Sequence, residues 1–134
     1  MACPHRRLPG QGKTYCGSGP ATGHEPVLRD GLGRTDWHGM ITVIAHYRTT
    51  PEAAEDVKRL LAQHARMSEA EPGCQCFLVH QGADDAARFA LYEVYDDLEA
   101  FEAHRNSDHF RVNIEQTLVP LLLEREWRMY GPAI

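Results

Sequence analysis

From residue 40 onward the apolar positions alternate between two rhythms. The run MITVIAHYR is rich in β-branched residues and predicts a first strand. In TTPEAAEDVKRLLAQHARMSEAEPG the rhythm becomes helical, with Ala54, Val57, Leu61 and Ala65 sharing a face. Thr50 is placed to cap that helix, Pro51 suits its first position, and Pro72 with Gly73 stops it. CQCFLVHQ predicts a second strand, GADDA a turn and RFALYEVY a third strand. Asp96 followed by Glu99 has the form of a capping box for a short helix through LEAFEAHR. Asn106 and Ser107 break it. Ser107 then caps a further helix through DHFRVNIEQTL, with Phe110, Ile114, Thr117 and Leu118 as its buried stripe, and LEREWRMY returns as a last strand.

The order strand, helix, strand, strand, helix pair, strand is the ferredoxin-like βαββαβ arrangement of the α+β class, an antiparallel sheet with its helices on one face. In the first strand Ile41, Val43 and Ala45 point one way and Ile44 the other. In the third, Phe89 and Leu91 oppose Ala90, Tyr92 and Val94. Both sheet faces are therefore apolar, and the helices cover one. An apolar face left over on a sheet is the size of patch that marks an interface, so the pattern predicts a homodimer packed sheet to sheet.

Composition separates residues 1–39 from 40–134. Eight of the eleven glycines and four of the eight prolines fall in the first segment, among few large apolar residues. Such a stretch buries too little surface to offset its ordering entropy and reads as a flexible extension. Met40 reads as the start of the folded domain. Cys3, His5, Cys16 and His24 could be assembled on paper into a zinc site, but their spacing fits no compact ligand pattern. The basic N-terminus has no apolar core to follow, which predicts a cytoplasmic protein rather than a secreted one. Cys74 and Cys76 lie too close in sequence to pair easily, consistent with reduced thiols.

Charge narrows the partners. The chain carries a net −5, divided into +2 for residues 1–39 and −7 for residues 40–134. A domain that acidic is poorly matched to phosphate backbones, which excludes nucleic acid as the expected partner. The longest apolar run, LVPLLL, is interrupted by Pro120 and far too short to span a bilayer, so no membrane partner is expected.

The candidate chemistry is histidine chemistry. Leu98, Phe101 and His104 are spaced to share the inward face of the short helix. His109 flanks the stripe of the next helix, with Asn113 one turn on, and His46 alternates onto the face of Ile44. Three imidazoles, His46, His104 and His109, are thus expected to converge as the catalytic set, with Asn113, Tyr92, Phe110 and Ile44 as substrate contacts. His64 and His80 read as structural. No HxH or HExxH pair supplies two metal ligands from one element, so no metal is assigned. There is no glycine-rich nucleotide loop and no GxSxG. An inward Glu93 needs a partner, for which Arg125 and Arg128 are candidates, and Trp127 and Tyr130 read as packing residues.

Residues 40 to about 130 resemble the antibiotic biosynthesis monooxygenase domain family, which includes proteins of the quinol monooxygenase type. The resemblance rests on MITVIAHYRTTPEAAEDV, AEPGCQCFLVHQ and, most specifically, RFALYEVYDDLEAFEAHRNSDHF. It implies a dimeric α+β barrel and the oxygenation of phenolic polycycles, anthrones or quinols by dioxygen without a cofactor. An electron-rich substrate anion reduces dioxygen itself, so the protein need only bind the ring, take a proton and exclude water. Imidazole, with an ordinary pKa of about 6.5, suits that transfer. His104 and His109 match the family's paired histidines, and His46 a polar residue at the end of its first strand. Tyr95 stands where many relatives carry tryptophan.

Haem-degrading relatives place an iron-ligating histidine where this chain has Ile114, which disfavours that chemistry. A small-metabolite isomerase of the same superfamily and a non-catalytic dimeric binding module remain the alternatives, since both tolerate imidazoles in an apolar pocket.

Overall fold

A computed structural model describes residues 37–134. The reading of residues 1–39 as a flexible extension falls almost entirely outside that span, and the zinc set Cys3, His5, Cys16 and His24 falls wholly outside it.

Four strands, β1 (Ile41–Thr49), β2 (Cys74–Gln81), β3 (Arg88–Tyr95) and β4 (Leu122–Tyr130), form one antiparallel sheet in the order β2-β3-β1-β4. Helices α1 (Ala54–Glu69), α2 (Leu98–Arg105) and α3 (Phe110–Leu118) supply the second layer. This is the ferredoxin-like α+β fold. Thr50 caps the turn into α1 through its side chain, with Pro51 next, as the sequence predicts. At α2 the cap is Asp97, whose carboxylate accepts from Ala100 N at 2.8 Å. Asp96, the residue expected there, is instead held by the Gln75 amide at the edge of β2.

Pairing register fixes which residues face the helices. Across the sheet, Phe77, Glu93, Val43 and Met129 stand in one row, Val79, Leu91, Ala45 and Trp127 in the next, and Gln81, Phe89, Tyr47 and Arg125 in a third. These rows meet Val57 and Leu61 of α1, Phe101 of α2, and Phe110, Ile114 and Leu118 of α3 in a single core. The intervening rows, including Leu78, Tyr92, Ile44 and Arg128, belong to the other face.

The helix α3 departs from expectation. It is wound as a π-helix, and its last turn closes with Val119 N bonding to Ile114 O, five residues back. The inward residues recur every fourth position, at Phe110, Ile114 and Leu118. Thr117, expected on the buried stripe of an α-helix, is exposed and donates to Val112 O at 2.7 Å. The wider winding rotates it off the core.

Gly73 ties the end of α1 to α2. Its carbonyl accepts from Asp96 N at 2.9 Å, and a Cβ at this position would lie 2.4 Å from Ala100 Cβ. Among the described residues no helix is long and apolar enough to cross a membrane. Because Ala100 Cβ is fixed to the α2 backbone, Gly73→Ala should overpack this contact and cost about 1–3 kcal/mol, read as a lower urea midpoint. An unchanged midpoint would mean that α2 retreats freely.

Candidate active site

The site grows out of the join between α1, β2 and α2. On α1 the buried positions are Ala54, Val57, Leu61, His64 and Ser68, a helical progression that puts His64 in the layer between helix and sheet. The chain leaves α1 through Glu71, Pro72 and Gly73, and the close approach at Gly73 sets the Glu71 carboxylate beside α2. His104, in the last turn of α2, is 2% exposed, and its Nδ1 lies 3.0 and 3.1 Å from the two oxygens of Glu71. Ser107 Oγ donates to His104 O at 2.6 Å and accepts from Phe110 N, so one side chain closes α2 and opens the next helical segment. That segment begins with His109, whose Nε2 sits 2.5 Å from Glu71 Oε2. The contact is an ion-pair approach and not a directed hydrogen bond, for the buried Nε2 has no oxygen in line with its N–H.

An ionised carboxylate only accepts, so Glu71 fixes the proton of His104 on Nδ1 and leaves Nε2 as the nitrogen with a free lone pair. The ring is walled by aromatic neighbours. Phe110, Tyr95, Phe77 and His64 have ring centres 5.2, 5.3, 5.6 and 5.3 Å away. His64 itself is 1% exposed, with Nδ1 unpartnered. Burial, then the positive fields of His104 and His109, push its pKa down to about 3, so it stays neutral.

His104 also lines a cavity of about 20 Å³ between sheet and helices, room for about one water. Val43, Ala45, Tyr47, Glu93, Trp127 and Arg125 supply its sheet side, Phe101, Arg105 and Phe110 the rest. Glu93 is 6% exposed and accepts from Tyr95 Oη at 2.6 Å, and its burial raises its pKa. Arg125 Nε is buried without a partner. Burial pushes the Tyr47 hydroxyl up to about 12 even though Arg125 opposes the shift. Outside lies a cleft of about 470 Å³ that shares Phe101, Arg105, Phe110 and Trp127 with the inner cavity. The Arg105 guanidinium stands between the two, 4.9 Å from the Trp127 ring centre and 5.9 Å from that of Phe110.

Of the residues singled out from sequence, His104, His109 and Phe110 come together here. His46, Ile44 and Tyr92 do not. They stand on the opposite sheet face, because Ala45 and Tyr47 point to the helices and alternation turns their neighbours away. His64 supplies the third imidazole in place of His46. Asn113 faces Met67, donating to its Sδ at 3.4 Å, and lines neither cavity. Trp127, read as packing, lines both. Glu71 is the residue the sequence reading missed. Its signal was a lone carboxylate directly before the Pro72–Gly73 stop, inside AEPG.

Known proteins resemble this chain in sequence and fold. A description of the antibiotic biosynthesis monooxygenase family matches residues 40–116. Over 70 residues, 52% of this chain and 68% of the relative, the sequence is 30% identical to a Mycobacterium tuberculosis protein named "Putative monooxygenase". The solved structure of a "Putative antibiotic biosynthesis monooxygenase" from Nitrosomonas europaea shares 28% identity at a TM-score of 0.67, covering 72% of this chain and 93% of that one. A Pseudomonas aeruginosa protein gives the same score and identity, covering 72% and 97%.

The His64 environment carries a pH dependence. The imidazole takes its proton near pH 6.5 in the unfolded chain but resists it down to about 3 in the fold. Its contribution is whole above about pH 6.5 and is lost as pH falls toward 3. Between pH 7 and pH 5 the wild type should lose about 2 kcal/mol more stability than His64→Phe, measured by urea unfolding at both pH values. Parallel losses in the two proteins would show that His64 does not titrate in this way.

Proposed function

The chain belongs to the antibiotic biosynthesis monooxygenase family, and from that premise we propose that it is a cofactor-independent monooxygenase acting on a phenolic, quinol or anthrone-type small molecule. The observation that carries the reading is the Glu71–His104 pair, with the imidazole at the wall of a small cavity lined by Phe101, Phe110 and Trp127 beside Glu93 and Arg125. The outer cleft falls in the size range of small-molecule sites and offers Phe101, Phe110, Trp127 and Leu98 to a planar ring.

On this reading the ring enters between Phe110 and Trp127 as Arg105 swings aside, bringing its acidic hydroxyl or methylene to His104. His104 Nε2 takes the proton, and Glu71 stabilises the imidazolium through Nδ1 as a positioning residue. The unpartnered Arg125 Nε is a donor available to the substrate oxyanion, in a space where few waters compete. The substrate anion then passes electrons to dioxygen. One oxygen atom bonds to the ring carbon, which loses two hydrogens, and the other leaves as water, so an anthrone and dioxygen yield an anthraquinone and water. His109 lies beside Glu71, its Nε2 2.5 Å from Oε2.

A homodimer belongs to the same proposal. Ile44, Leu78 and Tyr92 are half-buried in one row of the face that carries no described helix, and Tyr130 of the next row is 49% exposed. A second copy laid on this face would cover them without touching the cavity.

Oxygen uptake by the metal-stripped full chain, with hydroquinones and anthrones and corrected for autoxidation, tests the activity. Uptake should depend on protein and fall roughly 100-fold or more in His104→Ala. A fully active His104→Ala would remove the base from the mechanism. Light scattering should give twice the chain mass for the wild type, and Tyr92→Arg should shift it toward one chain. A monomeric wild type would end the dimer proposal.

A further inference from the structure

We propose that Glu71, His104 and His109 also form a binding site for one late first-row divalent cation, of the zinc type, whose occupancy silences His104. The second half rests on the reading of His104 as a base, and the first stands without it.

One carboxylate oxygen, His104 Nδ1 and His109 Nε2 all lie within 4.8 Å of one another. Two imidazole nitrogens and a carboxylate oxygen are a donor set that holds zinc at 2.0–2.2 Å with a fourth position left for water. Donors arranged tetrahedrally at that radius stand about 3.4 Å apart. On Glu71 Oε2, the His104 and His109 nitrogens stand at 3.1 and 2.5 Å. Lengthening these two contacts by less than about 1 Å would bring them to that spacing. The three come from different places, the α1–β2 turn, the end of α2 and the start of the following helix, so the fold rather than any local motif assembles them.

A second observation points the same way. The buried His109 Nε2 has no directed hydrogen bond, and the buried His64 Nδ1 has no partner. Both orphans belong to one cluster, with the His64 ring 5.3 and 5.4 Å from those of His104 and His109. Orphaned buried nitrogens are costly, and an ion would give at least one of them a partner. The side chains of Glu71, His104 and His109 are 18, 2 and 15% exposed, sheltered from bulk water yet reachable.

The consequence for His104 follows from its ring. An imidazole that ligates through Nδ1 carries its proton on Nε2, and Nε2–H donates but cannot accept. The nitrogen facing the cavity would then no longer remove a proton. Cation binding and base catalysis exclude each other at one side chain.

The test is calorimetric titration of zinc into the chelator-treated full chain, compared with Glu71→Gln and His109→Ala variants whose folding is checked by thermal unfolding. The expected result is a one-to-one site, weakened at least about tenfold in each variant, and a cobalt spectrum without the intense thiolate band that cysteine ligation gives. No stoichiometric binding, or binding untouched in both variants, would overturn the site. Zinc binding that meets these criteria without oxygen uptake on any substrate would sustain the site and count against the monooxygenase. Uptake that persists with zinc bound would overturn the silencing.

Discussion

The carboxylate of Glu71 is the interaction on which the site depends. Three imidazoles within 6 Å of one another in an apolar layer are an awkward group to bury, since each ring brings two polar nitrogens and water is scarce. One carboxylate meets two of the rings at once. It sets the tautomer of His104 and takes up whatever positive charge the pair carries. Without it His104 Nδ1 and His109 Nε2 would both lose their oxygen neighbour, beside a His64 Nδ1 that has no partner. His64 survives in the layer by staying neutral and by packing edge-on against Phe77 and Phe110.

Backbone geometry places that carboxylate. The turn after α1 must pass within a methyl group's width of α2, and only the missing side chain of Gly73 allows it. The same residue accepts from Asp96, which holds the start of the α2 connection against the start of β2. Ser107 then links α2 to the next helical segment tightly enough that His104 and His109 face one oxygen pair from two elements. The site is therefore a junction, built where three chain reversals meet, and the sheet serves as its floor.

Much of the fold was legible because its signals are local and periodic. The alternation along β1 and β3, the Thr50–Pro51 entry to α1 and the Pro72–Gly73 stop each state an element within a few residues. The π winding of α3 was not legible, since it arises from how Phe110, Ile114 and Leu118 settle against the sheet rather than from any residue that demands it. His104 and His109 stood out because they flank a visible break. His46 misled for a plain reason: strand periodicity says which residues share a face but not which face the helices cover. His64 was recoverable by counting, since Val57, Leu61, His64 and Ser68 keep helical spacing. Glu71 was harder, because its role depends on α2 arriving beside it from 33 residues away.

The chemistry on offer is narrow. The thiols of Cys74 and Cys76 sit in the sheet, and burial raises both pKa values, that of Cys76 to about 11, so neither is a ready nucleophile. Glu93 already accepts from Tyr95 Oη at 2.6 Å, and its burial raises its pKa. On the proposed reading, the cavity presents proton transfer at His104 and charge at Arg125 to a guest. On that reading the guest supplies its own electrons, which an electron-rich aromatic can do. The proposed cation would compete for the same ring. One imidazole has two nitrogens and, when neutral, one proton, and whatever occupies Nδ1 decides what Nε2 can do.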